Sequence, residues 1–522
     1  MTPSSRTGVL ICGAGPVGLA LAAQLRRFQV PFRIIDRNAG CTALSKALVV
    51  WARTLEQLDT AAPVAPLLRA GLPVRRGAIC HGDRQIGGIE LAATDSPYGA
   101  GIMIPQSETE RHLAEHLRTH GTTIEWQTEL TAFEQSATGV ACTIGRHDGM
   151  SEKIDADWLV GCDGAHSQIR RTLDLSFDGV TEPYRWVLAD VAIDGRLPDA
   201  EAIIYWHASG MLALFRIDRD RWRIIASDPE PDQPDAPTLE NIRQLVERRG
   251  PTGLRLRDPA WISAFHINER IVDRYRERRC FVAGDAAHVH SPAGGQGMNT
   301  GIQDALNLGW KLALRNHGLA GDRLLDSYHD ERAPVGAAVV RETSRMLRMA
   351  MLANPLARFG RDTLVPLALR IPAIRSRAAR MLTELDVAYP SSPLNGPGDA
   401  RVCSLRPGQR VPPIRLLGCP DYEHLSDPLR DAAMLVVGWR SPPGSAESLL
   451  ESAPDAWREH LIPLDLNADS TTGGTTATPA ELRRLGLGEP GYLVIRPDGI
   501  LALSARADRP TALRDWLVQL SR

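Results

Sequence analysis

Val9 to Cys12 is an unbroken apolar run too short for a helix, and Gly13-Ala14-Gly15-Pro16-Val17-Gly18 after it opens onto a longer apolar stretch ending at Arg27. The pattern predicts a buried strand, a tight turn and a helix, and Phe32 to Asp36 predicts a second strand. That order is the start of a parallel nucleotide-binding sheet. Two similar apolar runs lie far downstream, Trp158 to Cys162 and Cys280 to Gly284, and each leads into an aspartate beside a glycine. The sheet is therefore expected to be assembled from distant pieces of chain.

Between those pieces, Ala202 to Tyr205, Leu212 to Ile217 and Trp222 to Ser227 are β-rich runs separated by turn residues. They predict an antiparallel sheet inserted into the first domain, able to wall off a substrate cavity. Met298 to Asn316 reads as a helix, and Pro334 to Leu385 as helices broken at Pro355, Pro366 and Pro372. The proline- and glycine-rich stretch Pro390 to Pro413 predicts a linker. Beyond it come a strand (Met434 to Trp439), a helix (Ala446 to His460), a strand (Ile462 to Leu466) and a Thr- and Gly-rich loop. A short helix (Pro479 to Leu485), a hairpin (Tyr492 to Leu503) and a last helix (Thr511 to Ser521) complete a thioredoxin-like order. With no C-x-x-C in it, packing or homodimer formation is expected of this unit, and redox exchange is not.

The fold expected is thus α/β. A nucleotide-binding domain takes 1–175 and 267–335, a sheet domain 75–105 and 176–266, helices 336–390, a linker 391–412 and a thioredoxin-like domain 413–522. A length of 522 residues suits several such units. The formal charge of -2 provides no overall field for nucleic acid or a membrane, so neither is an expected partner. The local basic runs Arg274 to Arg279 and Arg375 to Arg380 are expected to be solvated helix faces. The eight cysteines show no metal-ligand spacing and read as buried thiols of a cytoplasmic protein.

The chemistry sits in three motifs. In the first, Gly13 permits the turn, Gly15 lets backbone approach a pyrophosphate and Gly18 allows close helix packing, while Pro16 and Val17 open the helix whose free N–H groups meet the phosphates. Asp36 follows at the spacing of a ribose-binding acid. The second is Val160-Gly161-Cys162-Asp163-Gly164-Ala165-His166-Ser167. The third is Gly284-Asp285-Ala286-Ala287-His288, continuing through Ser291-Pro292-Ala293-Gly294-Gly295-Gln296-Gly297-Met298-Asn299. A glycine-rich loop opening a helix there directs N–H groups and a dipole at a bound group that gathers negative charge.

Together the three motifs resemble the group A flavoprotein aromatic hydroxylases, the family of para-hydroxybenzoate and phenol hydroxylases, and within it the branch that oxidises polyketide aromatics and carries a thioredoxin-like tail. The resemblance runs from residue 8 to the final helix. It implies a Rossmann-like FAD-binding domain in which Asp285 binds the ribityl region, Asp163 serves FAD and the passing nicotinamide, and Pro292, Gly295, Gly297, Met298 and Asn299 cradle the flavin ring. It also implies FAD contacts for Gln106 and an adenine contact for Arg37. Lys46 stands where the family usually has an arginine, losing the bidentate fork, whereas Arg53 keeps the family pattern, with a structural role on its helix as the alternative. The activity implied is hydroxylation of a phenolic, polycyclic polyketide-type aromatic by NADH or NADPH and dioxygen, through a flavin C4a-hydroperoxide. The alternative is a flavin oxidase or reductase on the same fold, without oxygen insertion. Tyr205, His207 and Arg216 are the substrate-side candidates, and His288 and His290 are expected to shape the flavin loop, with no metal.

Overall fold

The computed structural model describes residues 5–43, 45–91, 94–228, 236–442, 444–467 and 475–522; most of the Thr- and Gly-rich loop expected after Leu466 lies outside them. The first sheet is built from distant pieces, as the apolar runs imply. Its strands lie in the order Arg276–Glu277, Cys280–Val282, Ser151–Gly161, Ser5–Cys12, Phe32–Ile35 and Ile124–Glu125, with the hairpin Thr128–Gln135 and Val140–Arg146 attached to Ser151–Gly161. From Cys280–Val282 to Ile124–Glu125 the neighbours are parallel. Gly161 stands beside Cys12 on one side and Val282 on the other, so the three motif-bearing loops leave one edge of the sheet together. Val9, Leu10 and Ile11 are fully buried, and the helices Pro16–Arg27 and Gly297–Asn316 pack against each other over them.

The second sheet has eight strands, in the order His288–Val289, Arg255–Ile271, Asp178–Asp194, Arg221–Asp228, Gly210–Arg216, Ala202–His207, Arg76–His81 and Arg84–Glu90. Its spine is a pair of antiparallel strands of 17 residues each, Asp178–Asp194 and Arg255–Ile271, which the apolar pattern does not reveal. Each contains a proline, Pro183 and Pro259, and the ladder shifts register at both places, with Asp258 at φ +49°. Bulges accommodate prolines that in sequence read as strand breaks. Gly101–Met103, in the segment expected to belong with this sheet, instead pairs with Val49–Trp51 and Leu72–Pro73 in a separate three-stranded sheet.

The last unit is thioredoxin-like. Its strands run Leu461–Leu466, Met434–Trp439, Gly491–Ile495, Leu501–Arg506, with the first two parallel and the rest antiparallel. It is no appendage: Trp457, Tyr492, Val494, Leu503 and Trp516 belong to the same buried cluster as Val9 and Trp310 of the first domain. The stretch expected to be a linker is likewise packed. Leu394, Val402 and Cys403 are buried, Gly398 bridges to Ser504, and Arg410 donates to Glu56 at 2.6 and 2.7 Å and to Asp95. Its prolines and glycines mark irregular backbone, not an open tether. No helix among the described residues is long and apolar enough to cross a membrane.

Candidate functional site

The first motif is shaped by contacts that only glycine permits. Gly13 has φ +107°, and a Cβ there would lie 2.2 Å from the Cys162 carbonyl oxygen; one on Gly18 would lie 1.8 Å from the Gly13 oxygen. Gly15 differs, since nothing lies within 4 Å of the place a Cβ would take: it borders open space where a ligand backbone can approach. The third motif touches the first, because a Cβ on Gly284 (φ +61°) would meet Val17 Cγ2 at 2.7 Å. Neither Pro16–Arg27 nor Gly297–Asn316 carries a side-chain cap or an acid in its first turn. Their N-terminal N–H groups and positive dipole ends are left for an acceptor from outside.

Three aspartates stand around this space. Asp36 Oδ2 accepts from Ala14 N at 2.7 Å, and Oδ1 accepts from the backbone and side chain of Asn38 at 2.8 Å each, so the acid also clamps the glycine turn. Asp163 Oδ2 caps the helix Gln168–Thr172, accepting from Gln168 N at 2.8 Å and Ile169 N at 3.3 Å, while Oδ1 is buried with no partner among the described residues. Asp285 is exposed although Gly284, Ala286 and Ala287 beside it are buried, which means that it opens into the cleft. Its carboxyl is nonetheless surrounded closely enough by protein that loss of water raises its pKa, against the opposing pull of His288 and Lys46. Lys46 thus brings a cation to this carboxylate, as a point charge without the fork. Arg37 is exposed near the Asp36 end.

Gln106 holds the Lys46 segment. Its Oε1 accepts from Ala47 N at 3.2 Å, its backbone N–H donates to Ser45 Oγ at 2.8 Å, and its Nε2 donates to Glu110 at 2.9 Å. Arg53 is spent on structure: it is buried and donates to Glu56 and to the Asp498 carbonyl at 2.8 Å, joining the first domain to the last. Asn299 ties the flavin-loop motif to Val49–Trp51, accepting from Trp51 N at 2.8 Å and donating to the carbonyls of Val49 and Gly295 at 2.9 Å each. Trp51 Nε1 donates to the Gly294 carbonyl at 2.9 Å. Gly295 (φ +64°) makes the turn, Pro292 is exposed, and Met298 is buried under the loop.

His288 is fixed from behind. It shares a hydrogen bond of 2.8 Å with Asp304 Oδ2, which also accepts from Gly284 N at 3.1 Å. Asp304 Oδ1 accepts from Arg332 Nε at 2.7 Å, and Arg332 donates on to Tyr389 Oη and the Thr300 carbonyl. All are buried, so the Gly284 turn is held by charges that no local motif announces. His290 donates from Nδ1 to the Ser291 carbonyl at 2.8 Å, and burial beside His288 lowers its pKa to about 4, leaving the ring neutral.

The inserted sheet has two faces. Ile203, Tyr205, Leu212, Leu214 and Ile224 pack under the helix Leu239–Arg249. The opposite face carries Trp206, Met211, Ala213, Phe215 and Ile225, and Phe215 continues into a cluster with Val49 and Trp51 beside the flavin loop. Arg223, in a bidentate pair with Asp190 at 2.8 Å, donates to the Lys46 carbonyl on this side. The structure turns the three substrate-side candidates away from it. Tyr205 lies in the covered face, and His207 follows it by alternation, bonded to Ser209 and stacked on His81. Arg216 packs over Trp222 of that same face and donates to the turn carbonyls of Asp218 and Arg219. Strand alternation gives two faces; only the tertiary packing says which one the cleft borders.

A parallel sheet whose loops bring to one end a glycine turn open to approach, an aspartate oxygen with no partner among the described residues and two helix N-termini without side-chain caps, beside an apolar sheet face, is the framework of a flavin-dinucleotide oxidoreductase. The chain belongs to the FAD binding domain family, whose model matches residues 6–343. It is a flavoprotein aromatic monooxygenase. It is 34% identical over 527 residues to 6-methylpretetramide 4-monooxygenase of Streptomyces rimosus, covering 97% of this chain and 92% of that one. The structure of OxyS anhydrotetracycline hydroxylase from Streptomyces rimosus superimposes with a TM-score of 0.75 at 29% identity, covering 99% of each chain. The flavin-dependent monooxygenase PieE, solved in complex with FAD and substrate, shares the fold with a TM-score of 0.82 at 22% identity, covering 99% of this chain and 100% of that one.

Proposed function

We propose that this flavoprotein hydroxylates a phenolic, polycyclic substrate of the aromatic polyketide type, with NADH or NADPH as reductant and dioxygen as oxygen donor. The observation that carries the substrate class is the largely apolar sheet face of Trp206, Met211, Ala213, Phe215 and Ile225, whose two neighbouring guanidiniums, Arg223 and Arg361, are each tied into an ion pair, and which runs into Val49 and Trp51 at the flavin loop. A flat, largely apolar ring system is what such a wall binds. The Streptomyces relatives, named for 6-methylpretetramide and anhydrotetracycline, support the same class.

The Gly13–Gly18 turn would hold the pyrophosphate of FAD, Asp36 a ribose, Asp163 and Asp285 the middle of the dinucleotide, and residues 292–299 the ring. Hydride acceptance and dioxygen activation are the chemistry FAD would supply when held there. The chain supplies the rest. The positive end of the 20-residue helix Gly297–Asn316 stabilises negative charge near the ring, and Lys46 adds a cation on that side. The sheet face and the helices over it exclude water from substrate and ring. All eight thiols are free, which suits a reducing cytoplasm.

The test is a screen of polycyclic phenols for stimulated NADPH oxidation by FAD-loaded protein, followed by product mass under isotopically labelled dioxygen. One labelled oxygen in the product is the expected result. Stimulated oxidation that yields only hydrogen peroxide would replace the hydroxylase reading by an oxidase one.

A further inference from the structure

The helix Pro355–Ala368 wears its polarity inside out. Arg361 is buried, with its guanidinium 4.4 Å over the Trp206 ring, and pairs with Asp362 at 2.7 Å while donating to the carbonyls of Met349 and Ala350. The outward side presents Leu356, Phe359, Thr363, Leu364 and Leu367, and Ile371 and Ile374 continue it into the next helix, Pro372–Leu382. Leu356 is 83% exposed and Phe359 73%. Seven of the eleven exposed large apolar side chains among the described residues fall between Met349 and Ile374, so this is one patch and not scattered surface.

Positive charge frames it. Residues 343 to 383 contain eight arginines and a single acid, Asp362, in a chain whose formal charge is -2. Arg370 and Arg377 are exposed, and with Arg375 they form no ion pair among the described residues. The run Arg375 to Arg380, which sequence alone assigns to a solvated face, therefore stands next to an apolar surface.

We propose that this face docks the protein on an anionic lipid bilayer, with Leu356, Phe359, Leu364, Leu367 and Ile371 entering the acyl boundary and Arg370, Arg375 and Arg377 meeting headgroup phosphates. An uncharged stripe beside unpaired guanidiniums is satisfied on both counts by such a surface. A second copy of the chain satisfies only the first, because a two-fold contact through this patch sets the same arginines against one another. The inner side of the helix roofs the apolar sheet face: Val365, with Met351 from the turn before the helix, packs in the cluster of Trp206 and Met211. Docking thus puts the substrate chamber against the phase into which polycyclic aromatics partition. This last consequence rests on the substrate reading above; the docking itself does not.

The experiment is co-sedimentation of the full, FAD-loaded chain with vesicles of phosphatidylcholine alone, or mixed in equal parts with phosphatidylglycerol, at low and high salt. Retention is expected on the mixed vesicles and is expected to weaken with salt. Replacing Arg370, Arg375 and Arg377 by Gln weakens it by about fivefold per arginine. Leu356→Asp with Phe359→Asp abolishes it at unchanged FAD absorbance, because neither side chain reaches the core. No binding to either vesicle, or equal binding to both, overturns the proposal. So does a dimer in sedimentation velocity that the Leu356→Asp, Phe359→Asp protein loses, which assigns the face to a second copy. None of these readouts uses turnover, so a failure of the substrate reading and a failure of docking are told apart.

Discussion

Arg496 reaches Glu331 with both terminal nitrogens, at 2.6 and 2.9 Å, and neither side chain has any exposure. Arg496 lies in the thioredoxin-like unit and Glu331 on the long helix Asp322–Ala350. Lys311 reaches the same carboxylate at 2.8 Å. Burial works to raise the Glu331 carboxyl, but Arg496 and Lys311 outweigh it and hold it well below the usual range. Arg496→Met should therefore cost about 3–5 kcal/mol, the cost of breaking a buried pair on one side. The urea midpoint of the folded protein measures it, and a loss below about 1 kcal/mol would show that the junction is not held by this pair.

Two glycines of the first motif should separate folding from cofactor binding. Gly13→Ala drives a Cβ to 2.2 Å from a carbonyl oxygen at a positive φ and should prevent accumulation of folded protein. Gly15→Ala meets nothing within 4 Å and has an ordinary φ of -74°, so the apo fold should keep its stability within about 0.5 kcal/mol. Its methyl group fills the approach to the pyrophosphate, so FAD affinity should fall by at least about tenfold, close to 1.4 kcal/mol. Thermal melts without FAD, paired with FAD titration by fluorescence, give both numbers.

The two faces of the inserted sheet predict opposite outcomes. Phe215→Ala opens the wall beside the flavin loop and should raise KM for the polycyclic substrate and divert more NADPH to hydrogen peroxide. Tyr205→Phe removes a buried hydroxyl that has no partner, on the face covered by Leu239–Arg249. It should leave turnover unchanged, and a substantial loss of kcat would return Tyr205 to the substrate side.

Glu384 should make stability depend on pH. It is buried against the flavin-loop helix, and burial raises its pKa from 4.5 to about 8. Thr300 Oγ1 donates to one Glu384 oxygen at 3.1 Å and Gln303 Nε2 to the other; both favour the charged form, and burial outweighs them. A folded-state pKa above the unfolded one means that the contribution is whole below about pH 4.5 and is lost as pH rises through about 8. Glu384→Gln keeps the shape and one acceptor oxygen without titrating. It should match the parent below about pH 5 and exceed it near pH 8 by on the order of a few kcal/mol. Melting curves at both pH values decide it.

The parts of the site that could be read from sequence are those in which one residue type is the only solution. Gly13, Gly18 and Gly284 are such positions, and Asp36 and Asp163 announce themselves by standing directly after buried strands. What was hidden has physical reasons. Pro183 and Pro259 disguise the two longest strands because bulges absorb them. Asp304, Arg332 and Tyr389 look like surface polar residues until the fold buries them behind the Gly284 turn. Arg53 leaves two readings open in sequence, the family pattern and a structural role, and the contact with Asp498 that decides for structure comes from a domain 445 residues away.

Cys12, Gly161 and Val282 are neighbours across three adjacent strands, yet some 270 residues of chain separate the first from the last. During synthesis Phe32–Ile35 and the helix Pro16–Arg27 can join the opening strand early, but its other neighbour, Ser151–Gly161, and the helix Gly297–Asn316 that packs on Pro16–Arg27 emerge only much later. No earlier nascent chain can grip the dinucleotide. The length of that interval sets how long the partly built sheet stays open to aggregation.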